Sequence, residues 1–116
     1  MSYIKVGIIG FGYMGNFHLR KIEQVEGMEV TAIFDICQKA QEDARLKGLM
    51  VCKTLEELFE IETMDLVIIS TPNNVHFPLA IAALNAGKNV LLEKPATMNA
   101  EEFRNIMQCA EKKKKL

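Results

Sequence analysis

The chain predicts an α/β fold, a doubly wound parallel sheet, on three observations. The apolar residues Ile4, Val6, Ile8 and Ile9 lead directly into Gly10-Phe11-Gly12-Tyr13-Met14-Gly15, three glycines at the spacing G-x-G-x-x-G. An amphipathic segment follows, with Met14, Leu19, Ile22 and Val25 on one arc and Asn16, Arg20, Glu23 and Gln24 opposite. Beyond it, short apolar runs alternate with helical patterns to the end of the chain, the pattern of strands joined by helical crossovers.

The elements follow in order. After the first strand, Gly10 allows a tight turn, Gly12 lets the backbone approach a pyrophosphate, and Gly15 lets the next helix pack closely on the sheet. The N-terminus of that helix then faces the phosphates with its unpaired amides. A second strand over Met28–Phe34 ends on Asp35, 25 positions after Gly10. That is near the spacing of about 20 expected for a carboxylate that accepts the adenosine ribose hydroxyls of a dinucleotide.

Residues 37–47 read as a helix closed by Gly48, and 49–52 as a short strand. Thr54 opens a helix over 54–60, with Glu57 three residues later completing a capping box. Residues 65–69 form a buried strand and Thr71-Pro72-Asn73-Asn74 a loop. An alanine-rich helix over 75–86 stops at Gly87, a strand covers 88–92, and Asn99 opens a last helix over 99–113. Five strands alternating with helices imply a parallel sheet with right-handed crossovers.

Length and composition fit one dinucleotide-binding domain over residues 1–116, with 49% hydrophobic residues available for a core. A net charge of −1 gives no electrostatic attraction to nucleic acid or an anionic membrane. The apolar runs fall short of the roughly 18 residues that span a bilayer, and the chain is expected to be cytoplasmic. Cys37, Cys52 and Cys109 are odd in number and lack a C-x-x-C pair, so no disulfide framework or metal site is expected; they read as reduced, half-buried spectators.

The distinctive residues sit at strand ends, where open α/β sheets bind ligands. Ser70-Thr71-Pro72-Asn73-Asn74-Val75-His76 follows the fourth strand and Glu93-Lys94-Pro95 the fifth. With the glycine turn, and with Ala83-Leu-Asn-Ala-Gly87 leading into the fifth strand, these residues resemble the Gfo/Idh/MocA family, the group of glucose-fructose oxidoreductase and inositol dehydrogenase. The resemblance spans essentially the whole chain. It implies the Rossmann version of the fold and an NAD(P)-dependent oxidoreductase acting on a sugar, cyclitol or related polyol.

Carried over by position, Gly10, Phe11, Gly12, Tyr13, Met14 and Gly15 would hold the pyrophosphate and Asp35 the adenosine ribose. Ser70, Thr71, Pro72, Asn73 and His76 would line the middle of the cofactor. Glu93 and Lys94 would sit at the nicotinamide end, with Lys94 also reaching the substrate hydroxyl as the catalytic candidate, and the resemblance implies a cis peptide before Pro95. Family members continue into a second domain that closes the substrate pocket. The chain ends at Leu116, before a sixth strand, and is expected to be one domain of a two-domain enzyme, inactive alone and open to homo-oligomerisation. The alternative, from a different class, is a non-catalytic nucleotide-binding or sensory module, because fold does not fix function.

NAD is the expected cofactor and NADP the second option. Asp35 would repel a 2′-phosphate, Ile36 and Cys37 offer no guanidinium to hold one, and only Lys39 could reach it. Other residues carry plainer readings. His18 falls on the apolar arc of the first helix and reads as a packing histidine. His76 positions its loop in preference to catalysing. The lysines at 112–115 read as the solvated end of a helix, and Met50, Met64, Met98 and Met107 as gap-filling core residues.

Overall fold

A computed structural model of the chain describes residues 4–71, 76–92, 104, 105 and 107–110. In chain order these form β1 (Ile4–Ile9), α1 (Tyr13–Glu23), β2 (Met28–Phe34), α2 (Gln38–Leu46), β3 (Met50–Val51), α3 (Leu55–Phe59), β4 (Met64–Ile69), α4 (His76–Asn85) and β5 (Asn89–Leu92). Residues 104, 105 and 107–110 are helical, within the helix expected over 99–113.

The sheet has the order β3-β2-β1-β4-β5, and every pair is parallel. A strand buried on both faces needs apolar residues at consecutive positions, and β1, with Val6, Ile8 and Ile9 all buried, takes the centre. It pairs with β2 from Ile4↔Met28 to Ile9↔Phe34 and with β4 from Lys5↔Met64 to Ile9↔Ile69. β3 contributes only two residues at one edge, where shortness limits unwanted pairing.

Two cores flank the sheet. On one face Val6, Ile8, Ile33 and Ile68 pack with Leu19 and Ile22 of α1 and Ala44 of α2. On the other, Ile9, Ala32, Val67 and Ile69 pack with Leu58 of α3, Ala80, Ala83 and Leu84 of α4, and Ala110. Helices on both faces make the fold doubly wound, and full burial of each such large side chain contributes about 1.5–3 kcal/mol.

Several local expectations change in detail. α1 ends at Glu23, so Val25 leaves the predicted arc and is 47% exposed. Thr54 caps α3 by accepting the Glu57 N–H at 3.1 Å, but the Glu57 carboxylate accepts from Lys53 N at 3.4 Å, one residue ahead of the cap. Met64 fills the core, whereas Met50 on the edge strand and Met107 are exposed; Met98 and residues 112–115 lie outside the described residues. Of the cysteines only Cys109 is half-buried, since Cys37 is exposed at the start of α2 and Cys52 is enclosed just after β3. His18 is partly buried, its ring edge-on to Phe17.

The one buried charged side chain among the described residues is Lys88, before β5. Its ammonium donates to the carbonyls of Ile61 at 2.6 Å and Met64 at 2.9 Å, so burial is matched by charge-assisted hydrogen bonds. Lys88 thereby fastens the α3–β4 connection to the end of the sheet opposite the glycine turn.

Candidate functional site

The glycine turn leaves the carboxyl end of the central strand. Gly10 has φ +90°, and a Cβ there would stand 2.9 Å from Thr71 Cγ2 and 3.0 Å from the Ser70 carbonyl, so both backbone shape and space require glycine. Its N–H donates to Phe34 O at 2.8 Å, and Ser70 Oγ donates to its carbonyl at 2.6 Å. Neighbouring strands therefore hold the turn from both sides.

Phe11 anchors the turn by burying its ring in the α1/α2 core. Gly12 begins α1: its carbonyl accepts Asn16 N at 3.0 Å and Asn16 Nδ2 at 2.9 Å. No side chain caps this helix start and no acidic residue occupies its first turn, which leaves the positive end of the helix for an anion. A Cβ at Gly12 would meet nothing within 4 Å, so the backbone there is open to a large group. Gly15 differs, because a Cβ would collide with Gly10 O; it is the point where helix and turn touch.

Asp35, just past β2, meets this turn. One carboxylate oxygen accepts Phe11 N at 2.7 Å, the other accepts Cys37 N at 2.8 Å, and the Asp35 carbonyl accepts Gln41 Nε2 at 2.7 Å. A carboxylate has about four acceptor positions, so two remain for hydroxyl donors. A cleft of about 660 Å³ opens here at the carboxyl ends of β1, β2 and β4, lined by Gly10, Gly12, Asp35, Ile36, Thr71 and Leu79 among others. Ile36 is 91% exposed, an apolar side chain held at its mouth.

The fold thus brings Gly10, Gly12, Asp35, Ser70 and Thr71 to one cleft. The Ser70 hydroxyl is directed at the Gly10 carbonyl, so it acts on the turn's shape. Gly15 is buried behind the turn, and Tyr13 and Met14 form the first turn of α1. His76 is the first residue of α4. Pro72, Asn73, Glu93, Lys94 and the Lys94–Pro95 bond lie outside the described residues.

Sequence reasoning missed Asn16, Gln41 and Lys47. Asn16 stood among the polar residues of an amphipathic helix, and only its position four residues after Gly12 hints that it returns to the turn. The Lys47 ammonium bonds Asn16 Oδ1 and Asp43 and lies 5.6 Å from the centre of the Phe11 ring. The Lys47 hydrogen bond, chiefly, holds the Asp43 carboxyl below its ordinary value. On the other face, burial raises the Cys52 thiol, with a smaller contribution from Glu57. Among the described residues no three His, Cys, Asp or Glu side chains gather to hold a metal, and no helix is long and apolar enough to cross a membrane.

A parallel sheet in this order, with a glycine turn at the central strand and an acid ending the next, defines a dinucleotide-binding domain of the Rossmann kind. The chain belongs to the Gfo/Idh/MocA oxidoreductase family, whose NAD-binding Rossmann fold it matches over residues 4–116. It is 38% identical over 104 residues to the uncharacterized oxidoreductase YdgJ of Escherichia coli, covering 89% of this chain and 30% of that protein. It is 33% identical over 113 residues to inositol 2-dehydrogenase of Salmonella typhimurium, covering 94% and 34%.

Among solved structures, an NAD-binding protein from Listeria innocua superposes with TM-score 0.96 at 38% identity, over 98% of this chain and 34% of that one. GenD2 from gentamicin A biosynthesis, solved with NAD, gives 0.95 at 26% identity, over 100% and 34%. Biliverdin reductase from Synechocystis, solved with biliverdin and NADP+, gives 0.90 at 28% identity, over 97% and 36%. The chain spans about a third of the length of these relatives.

Proposed function

We propose that this chain is the cofactor-binding domain of a cytoplasmic two-domain dehydrogenase that moves hydride between NAD and a sugar, cyclitol or related polyol. The observation that carries the reading is Asp35, whose carboxylate lines the same cleft as the open backbone of Gly12. In this reading Gly12 and the start of α1 receive the pyrophosphate, and Asp35 accepts the ribose hydroxyls on its remaining lone pairs. The bound nicotinamide supplies the hydride chemistry; the protein supplies orientation and electrostatics. By the family resemblance Thr71, Pro72, Asn73 and His76 would border the cofactor's middle, and Glu93 and Lys94 the nicotinamide end, with Lys94 as the catalytic candidate that reaches the reacting hydroxyl. The cyclitol assignment is supported by the inositol 2-dehydrogenase among the relatives.

NAD is the preferred cofactor, because a 2′-phosphate would meet the Asp35 charge with no arginine within the next residues. Lost charged hydrogen bonds plus repulsion should weaken NADP at least about tenfold. Titration of both cofactors against wild type and Asp35→Ser tests this. The expected result is tighter NAD binding in the wild type and a relative gain for NADP in the variant; equal wild-type affinities overturn the role of Asp35. Hydride transfer also needs donor and acceptor held together, an effect worth about 7–11 kcal/mol, and one wall of a pocket does not hold them. Turnover of a polyol by residues 1–116 alone would refute that division between domains.

A further inference from the structure

We propose that Lys47, at the far end of α2, is a positioning residue for the phosphate-binding turn, a role that rests on the cofactor reading above. Lys47 closes α2 and stands 35 positions beyond Gly12 in sequence, yet its ammonium reaches two parts of the turn. It bonds Asn16 Oδ1, and Asn16 Nδ2 donates to the Gly12 carbonyl at 2.9 Å. It also lies 5.6 Å from the centre of the Phe11 ring, the side chain that fixes the turn in the core. Asp43, one helical turn earlier, holds the ammonium from behind at 3.0 Å.

The start of α2 grips the same turn from its other side, since Asp35 joins Phe11 N to Cys37 N and Gln41. The helix thus braces the turn at both ends. An amide receiving Lys47 at its oxygen is polarised, which strengthens the bond that its NH2 group gives to Gly12. That bond orients the peptide plane after Gly12, and with it the N–H that a pyrophosphate would use. The ammonium touches the side of the turn facing α2, so its contribution is to geometry.

The test compares Lys47→Met, which keeps the stem and removes the charge, with Lys47→Arg, which keeps both the charge and the affinity for an aromatic face. NAD and adenosine are titrated against the full chain, with the amide resonances of Gly12 and Tyr13 followed by NMR. Lys47→Met is expected to lose about fivefold in NAD affinity, the scale of an exposed cation–π contact and one charged hydrogen bond, with adenosine binding unchanged and only a small fall in Tm from the lost Asp43 pair. Lys47→Arg should restore NAD binding to within about twofold. Asn16→Ala, which keeps the lysine charge, should weaken NAD similarly, and the double variant should lose little more than either alone. Unchanged NAD affinity in Lys47→Met, equal losses for NAD and adenosine, or additive losses in the double variant overturn the role. A wild-type chain that binds neither NAD nor NADP overturns the cofactor reading instead.

Discussion

The Asp35 carboxylate accepts the backbone N–H of Phe11 at 2.7 Å, joining the end of the second strand to the turn that follows the first. The acid expected to choose the cofactor also builds the site that receives it. Under the proposed function, affinity changes on mutating Asp35 would therefore combine a lost ribose contact with a loosened turn.

Asp35→Ala should lower folding stability even without ligand. It leaves the Phe11 and Cys37 amides without their carboxylate, and hydrogen bonds to charged groups are worth roughly 1.5–3 kcal/mol. Urea denaturation gives the answer; an unshifted midpoint would mean water replaces the carboxylate at no cost.

Two glycines of the turn should fail in different ways. Gly15→Ala forces a methyl against Gly10 O and should destabilise by about 1–3 kcal/mol, the scale of overpacking a core. Gly12→Ala meets nothing in the protein, so the melting temperature should stay nearly constant while dinucleotide binding is lost. Calorimetry beside a cofactor titration separates the two, and a Gly12→Ala variant that binds NAD normally would place the pyrophosphate elsewhere.

The cysteines should react in the order Cys37, Cys109, Cys52. Cys37 is exposed, Cys109 partly covered, and Cys52 both enclosed and raised in pKa by burial, with Glu57 adding to it. Mass-resolved alkylation under native conditions reports the order directly, and early labelling of Cys52 would show that β3 and its surroundings open readily.

The Asp43–Lys47 pair should leave a small acid-limb signature. Asp43 titrates below its ordinary 3.8 in the fold, so it binds its proton more readily when unfolded. Its contribution to stability is complete above that ordinary value and disappears as the pH falls through the lower folded pKa. Asp43→Asn should flatten the stability curve in that acid range and lower stability at neutral pH by the same small amount, small because the pair is exposed. Side-chain carboxyl shifts in an NMR pH titration supply an independent check.

Lys88→Met should destabilise without affecting the cofactor site. It removes the donors to Ile61 O and Met64 O from a buried position, at a cost of about 1–3 kcal/mol for the carbonyls left unpaired. These groups lie at the opposite end of the sheet from Gly12 and Asp35. Parallel loss of NAD affinity and stability in this variant would argue against that separation.

Fold and site were legible in the sequence to different depths. Ile4–Ile9 announced a strand as clearly as the glycines announced the turn, whereas its central place in the order β3-β2-β1-β4-β5 emerges only from the pairing of distant runs. The place of Asp35 beside the turn was legible because a spacing from Gly10 announces it. Asn16, Gln41 and Lys47 were not, because each bridges two elements by a long polar side chain, and such contacts follow from three-dimensional packing with no periodic trace. Val25 and Met50 misled for a related reason: hydrophobicity suggested burial, while a helix ending at Glu23 and an edge strand set their exposure. Ser70 was placed correctly at a strand end, but only the 2.6 Å bond to Gly10 O shows that its hydroxyl faces the protein.

The central position of β1 has a consequence for biosynthesis. During synthesis β1 must wait for β4, which ends 60 residues after Ile9 at Ile69, before its second edge is paired. At about 5–20 residues per second that delay is roughly 3–12 s, during which an aggregation-prone stretch, Ile4–Ile9, stays uncovered on one side. Lys5, the only charge in that stretch, pairs with Glu29 in the finished sheet. A single charge inside so apolar a run disfavours its association with other chains before β4 is made.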